Sequence, residues 1–558
     1  MKEPDPPLDL PSENWRDDLA LSDRDYTLLN NFHEQLDKEK METCACCDEK
    51  WFHMGLNDDR VCTSCINADK ELDEDMPFLY SGANDMDLGP AAAGLEPLTQ
   101  IEEMLIARVH CFVEVRQINN EEVINAAPIG DDEEEEAPEI GAVPDLQAGQ
   151  RELDAIQEQL ESSGARRLIG RQPRRYASMS LPTLNQTPIS EYQRTQARLS
   201  LAFPGLFPYG RAEYITPRPR EVKFTDYVRH LMLYKDMRFA QHPRFRYVAF
   251  NTIMRHQIND KAGFFVKKLD PQNKDLSLDD LRNAFADDSD ESRQMLNRIT
   301  RYAANLRGTR PYWAGRMKMV EAMVRMLGCP SLFLTFSAAD LHWDSLMQHM
   351  PRYEEWKAAS SDVRVRIARE NLRDNPHIVA FHFYRRLQVF SEEVFRDKFN
   401  MVDFWNRFEW QARGSTHNHG LWWSDGAPDA AGLDLSEEAR EAFAKFWGIH
   451  VTAINPEPDS GARPATEDST IQAPGVELEN NMSTLSSTIN RVQGHKCTKA
   501  YCLRKNKATG ADECRFLLPD ELYDEAKVDQ HPTRPYKQFF PARNDSYLNK
   551  YNQLATMA

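Results

Sequence analysis

The feature that most constrains this chain is a pair of histidines separated by one residue, His417 and His419, within EWQARGSTHNHGLWW. Side chains alternate faces along a strand, so the two imidazoles point the same way about 7 Å apart and can close on one metal ion. Glu409 lies eight residues upstream of His417. That spacing suits a preceding strand whose carboxylate meets the histidines across a hairpin. Two imidazoles and one carboxylate with open positions would bind a divalent ion and leave room for a scissile phosphate. Taken alone, an HxH pair fits two structural histidines equally well.

The surroundings make a strand there plausible on patterning grounds. YWAGRMKMVEAMVRMLGCP has the period of an amphipathic helix ending near Gly328, and SLFLTFSAADL after it reads as a buried strand running into a polar turn. A second helix is expected over VAFHFYRRLQVFSEEVFRDKF, ahead of the strand pair that carries the histidines. Helix and strand thus alternate, which predicts a multidomain α+β protein with an antiparallel sheet, helices, small zinc modules and disordered linkers. At 558 residues the chain calls for two to four domains. The expected division is a disordered tail over 1–40, a zinc-ribbon-like module over 41–70, a small α/β segment over 71–125 and an acidic or polar linker over 126–199. A central block over 200–424 follows, then a helical insertion and loop over 425–480, and a Cys/His block over 481–558.

A formal net charge of −20 argues at first sight against nucleic acid, whose binding needs phosphate neutralisation. The distribution matters more. Asp131 to Glu136 is an unbroken acidic run in a linker-like stretch, whereas Thr216 to Gln257 carries nine Lys or Arg against three acids. Within that basic stretch Arg244, Arg246 and Arg255, interleaved with Phe245 and Tyr247, suit a single strand that needs both neutralised phosphates and stacking surfaces; a solvated helix face explains them as well. No segment approaches the length of an apolar membrane span, the N-terminus has no apolar signal region, and no GxxxxGK[ST] loop is present. An intracellular protein without an ATP-driven motor is expected.

Ten cysteines, several in pairs, fit metal binding better than a disulfide framework. Cys44, Cys47, Cys62 and Cys65 form CxxC-x14-CxxC, a spacing that brings two knuckles around a tetrahedral zinc ion, with Cys46 a spare thiol. GHKCTKAYCLRKNKATGADECRF offers a second set, His495, Cys497, Cys502 and Cys514. One imidazole and three thiolates also complete a structural zinc site.

FEWQARGSTHNHGLWW resembles the FEWQxRGxPHxH signature of Helitron replication initiators, and FPYGR, HPRFRYVAFNTIMR, GTRPYW and LFLTFSAADLHW resemble further blocks of the Helitron helicase-like N-terminal domain, in the family's order. The resemblance implies an HUH-type single-strand DNA endonuclease with His417, His419 and Glu409 as ligands of Mg²⁺ or Mn²⁺, acting in the nucleus with a helicase carried on another chain or further along. It departs from the pattern at Asn418, where HUH enzymes usually carry an apolar residue, and at Thr416, which stands for Pro. LFLTFSAADLHW resembles the first initiator motif, in which Thr335, Ser337 and Asp340 would touch the DNA backbone; strand plus turn, with Asp340 capping a helix, explains the same residues.

The family's nucleophile is a tyrosine that forms a 5′-phosphotyrosine and frees a 3′-hydroxyl. Tyr547 and Tyr551 in YLNKY have the right spacing, but RNDSYLNKYN matches the family's RNDPxLNxYN block, which precedes the tyrosine motif. The nucleophile is therefore expected beyond Ala558. Three functions compete: an initiator that binds and nicks single strands, a catalytically silent DNA-binding relative, and a zinc-dependent protein-interaction scaffold.

Overall fold

A computed structural model describes residues 22–70, 75–91, 103, 107, 196–268, 307, 309–341, 343–410, 415–456, 485–486, 488–490, 493–497, 499, 502–506, 510–531 and 535–557. Its elements are helices and antiparallel strands, an α+β chain, and they divide into two compact units: Met41–Phe264, and Met1–Lys40 together with Phe265–Ala558. The division falls inside the block expected over 200–424. The linker expected over 126–199, and the α/β segment expected over 71–125 beyond residue 91, lie almost wholly outside the described residues.

In the unit Met41–Phe264, strands β1 (Met41–Thr43) and β2 (Lys50–Phe52) pair antiparallel with Met41 opposite Phe52, and a short helix, Thr63–Ala68, follows. The unit's apolar core is aromatic. Phe203 and Phe207 from FPGLFPYGR pack with Tyr227 and Leu231 of the helix Phe224–Leu233, and with Phe239 and Phe245. The buried Tyr227 hydroxyl donates to the Ala212 carbonyl at 2.8 Å, so this core leaves that polar group satisfied.

The other unit is built on a three-stranded antiparallel sheet in the order β3 (Leu332–Ser337), β5 (Thr416–Ser424), β4 (Met401–Trp410). Leu332, Leu334, Phe336 and Trp422 share one face and join a core with Phe390, Phe395 and Phe399. Those phenylalanines come from the helix Pro376–Phe390 and its continuation through a wide turn, Ser391–Phe395, to Phe399. Along β3 only this face is covered, its residues alternating half-buried and exposed, whereas on β5 His417 and Trp423, which face the other way, are buried as well. The strand expected to be buried is thus buried on one side only. Gly420 stands where a Cβ would run into the Trp422 indole and the Asn406 amide, so the central strand needs glycine there. The helix expected to end near Gly328 spans Arg310–Leu327, capped by Thr309 and terminated by Gly328 at φ 82, a left-handed value glycine takes without strain.

The expected disordered tail is corrected over its described part. Asp23–Asp37 is a helix with a full capping box, in which the Ser22 hydroxyl accepts from the Asp25 amide and the Asp25 carboxylate accepts from the Ser22 amide. Leu28, Leu29, Phe32 and Leu36, spaced for one helix face, enter the same core as Trp422. Lys398 to Asp25 and Arg385 to Glu39, both at 2.7 Å, fasten its ends. Within the helical insertion and loop expected over 425–480, Glu437–His450 is a helix, and residues 457–480 lie outside the described residues. Among the described residues no helix is long and apolar enough to cross a membrane.

Candidate metal centre

The sheet face opposite this core is organised by register. Ser337, His417 and Glu409 lie opposite one another in one row across β3, β5 and β4, and Thr335, His419 and Arg407 form the next. Directly opposed residues of antiparallel strands project to the same side. Glu409, His417 and His419 therefore converge, each offering a ligand atom within 4.8 Å of the others. The two imidazoles stand edge to face at 4.7 Å between centroids, and His419 Nε2 lies 3.0 Å from a Glu409 carboxylate oxygen. Glu409 and His419 each remain about a third exposed at the side chain, so a substrate can reach the centre. A donor set of two imidazoles and one carboxylate, open on the solvent side, fits a divalent ion with free coordination positions.

Ser337 and Thr335, expected at a DNA backbone, lie against the histidines. The Ser337 hydroxyl is 3.0 Å from His417 Nδ1 and the Thr335 hydroxyl 3.4 Å from His419 Nδ1. A hydroxyl that accepts from Nδ1–H leaves the Nε2 lone pair for a metal and fixes the ring's rotation. Sequence reasoning missed this role, although the signal was present: Thr335 and Ser337 repeat the i, i+2 spacing of the histidines on a neighbouring strand.

Asn418 points to the core face and is fully buried; its amide donates to the Arg407 carbonyl at 3.3 Å, while its own oxygen has no hydrogen-bond partner. Its polarity is thus spent on the opposite side from the centre. Asp340 is buried and does not cap the next helix, whose N-cap is Trp343.

Tyr551 sits in the core that covers the sheet's other face, packed in the cluster of Trp422 and Phe390, with its hydroxyl donating to the Ile454 carbonyl. Burial raises its phenol well above the ordinary tyrosine value. It is on the wrong side of the sheet to attack anything held by His417 and His419. Tyr547 is half-buried and its carbonyl accepts from the His495 amide at 2.8 Å, which ties it to the second Cys/His cluster.

The expected strand-binding set of the other unit separates. Phe245 is fully buried against Phe203 and Phe239, which removes it as a stacking surface. Its place is fixed by the helix Pro243–Lys268, whose turn sends it inward while Tyr247 stays half-exposed. Arg244 lies over the Phe203 ring at 5.4 Å and 3.6 Å from Glu103. Arg246 is half-buried on that helix, and Arg255 is held by Asn251 and Thr252.

Both cysteine clusters assemble. Cys44, Cys47, Cys62 and Cys65 are buried together, and backbone amides point at the sulfurs: Cys62 and Cys46 donate to Cys44 Sγ at 3.2 and 3.4 Å, Cys65 to Cys62 Sγ at 3.4 Å. Burial pushes the Cys44 thiol up, but the amides of Cys47, Cys62 and Cys46 outweigh it and hold it below the ordinary value. Such a nest of amides around converging thiols is the environment a zinc-bound thiolate needs. His495, Cys497, Cys502 and Cys514 gather around the hairpin β6 (Leu503–Lys505) and β7 (Asp512–Cys514), with Cys514 Sγ 3.5 Å from His495 Nε2. Both sets can hold zinc.

Residues 227–422 match the model of a family described as the Helitron helicase-like domain at N-terminus, and residues 73–127 match a domain of unknown function, DUF6570. No curated protein and no solved structure matches the chain significantly.

Proposed function

From a chain that carries a Helitron helicase-like N-terminal domain over residues 227–422, we propose an initiator that binds single-stranded DNA at a divalent ion held by Glu409, His417 and His419. The observation that carries this reading is the convergence of the three ligand atoms on one sheet face, where His417 is buried and Glu409 and His419 are partly exposed. Mg²⁺ or Mn²⁺ bound there would polarise a phosphate oxygen and stabilise the charge that builds on phosphorus. Ser337 and Thr335 orient the imidazoles, and Arg407, exposed beside Glu409 at 3.9 Å, supplies a cation for a neighbouring phosphate. Nicking and joining would run through a tyrosine oxygen attacking phosphorus, with release of a 3′-hydroxyl and retention of the 5′-phosphate on the enzyme. The burial of Tyr551 beneath the other face favours strand binding over covalent chemistry by that residue. A nuclear location and a helicase partner go with the same reading.

The test is binding and cleavage of a labelled oligonucleotide with Mn²⁺, comparing the native chain, the double variant His417→Ala/His419→Ala, Tyr547→Phe, Tyr551→Phe and a chelator control. Metal-dependent binding lost in the histidine variant supports the proposal. Salt-independent binding, or binding indifferent to both histidines and chelator, contradicts it, because phosphate contacts weaken steeply with salt.

A further inference from the structure

Phe333 is an aromatic ring with no core to justify it. It projects from β3 onto the open face and is 65% exposed, while its strand neighbours Leu332 and Leu334 pack into the core on the other side. The register places it in a third row, Phe333 opposite Leu421 and Leu421 opposite Trp405, next to the row of Thr335, His419 and Arg407. Three rows thus differ in chemistry: Ser337, His417 and Glu409 for the ion, then a hydroxyl, an imidazole and a guanidinium, then Phe333, Leu421 and Trp405 with apolar side chains.

The Phe333 ring lies parallel to the His419 ring, 4° apart in plane and 6.0 Å between centroids. Its plane is therefore already aligned with the metal-ligand row. Across the face, Arg407 is bracketed by Glu409 at 3.9 Å and by the Trp313 ring at 5.1 Å, which holds its charge on the open side. Side chains two residues apart on a strand stand about 7 Å apart. That matches the reach from a phosphate to its own base. A strand whose phosphate sits at the ion and Arg407 then has a base over the apolar row, and every base offers a π face to stack, whatever its sequence.

We propose that Phe333, with Leu421 and Trp405 beside it, forms a nucleobase-stacking platform that positions one nucleotide of a single DNA strand at the Glu409–His417–His419 centre. This rests on the reading of that centre as a strand-binding site. Phe333 acts as a positioning residue: it fixes where along the strand the phosphate sits, and it takes no part in bond making.

The test uses the full chain with Mn²⁺ and two oligothymidylates, one intact and one carrying an abasic site at a scanned position, with the native protein, Phe333→Ala and Phe333→Trp. Native protein is expected to bind the intact strand about tenfold or more tightly than the strand abasic at one position, the order that loss of one base–aromatic stack produces. Phe333→Ala is expected to lose that discrimination while keeping the salt dependence and the Mn²⁺ affinity, and Phe333→Trp to retain it. If native protein and Phe333→Ala bind both strands alike, with salt and metal dependence intact, the platform is overturned and the strand-binding centre stands. If no variant binds any strand in a metal- and salt-dependent way, both fall. A lowered Mn²⁺ affinity in Phe333→Ala would also overturn the platform, since the ring would then serve the His419 ligand rather than a base.

Discussion

At the scale of single residues, the centre depends on groups that never touch the ion. The hydroxyls of Ser337 and Thr335 lie against Nδ1 of the two imidazoles, so removing one should loosen a bound ion without unfolding the sheet. Ser337→Ala is expected to weaken Mn²⁺ binding by about 10- to 100-fold, read by calorimetric titration, with the thermal midpoint little changed. Tyr551→Phe deletes a buried hydrogen bond to Ile454 and should cost about 1 kcal/mol in urea unfolding, with no effect on strand cleavage. Cleavage abolished by that substitution would contradict the placement of the ring in the core. That the two histidines share a face was legible because strand periodicity is strict: HxH on a strand leaves no choice of face. Ser337 and Thr335 were visible as residues but not as partners of the histidines, since cross-strand register is set by pairing and not by local sequence. Phe245 misled for a related reason. RFRY gives an aromatic between two arginines, and only the rotation of its helix against Phe203 and Phe239 decides that it points inward.

Among elements, the helix Asp23–Asp37 shows how composition can hide structure. The Pro- and acid-rich start of the chain argued for a solvated tail, yet Leu28, Leu29, Phe32 and Leu36 recur at helical spacing and a capping box opens the segment. Both signals were local; the charge around them outweighed them. The helix contributes to the core beneath the three-stranded sheet, so Phe32→Ala, which empties a fully buried aromatic site, should destabilise that unit by about 3–5 kcal/mol in urea unfolding. An effect below about 1 kcal/mol would mean the helix is not docked. The helix Arg310–Leu327 ends where its periodicity placed the end, because a capping threonine and a terminal glycine bound it, whereas the apolar run of Leu332–Ser337 hid that only one face of the strand is covered.

At the scale of the molecule, the core and the candidate centre occupy different faces of one sheet. The core side holds titratable groups that resist charging. Burial, with Arg386 nearby, lowers His33 to about 4, and burial together with Arg386 and His349 holds His382 well below the ordinary histidine value. Above about pH 6.5 both histidines are neutral whether folded or unfolded, and the full stability is present. As pH falls below that, the unfolded chain protonates first, so stability declines until His33 itself titrates near 4, a loss of up to roughly 3 kcal/mol from His33. Urea midpoints measured from pH 7.5 to 4.5 should fall steadily below pH 6.5, and His33→Gln should flatten part of that slope. How the chain divides was the least legible property in its sequence: the unit boundary at 264/265 lies within the helix Pro243–Lys268, where a lone glycine, Gly263, does not interrupt the helix. The open side of the sheet carries the central claim, that Glu409, His417 and His419 hold one divalent ion to which a DNA phosphate binds. Pulsed paramagnetic resonance of the Mn²⁺-loaded chain with a single-stranded oligonucleotide tests it most directly. The account predicts nitrogen couplings from two imidazoles together with a phosphorus coupling from a bound phosphate, the nitrogen couplings vanishing in His417→Ala/His419→Ala. A spectrum of fully hydrated Mn²⁺, the same with and without the histidines, would contradict it.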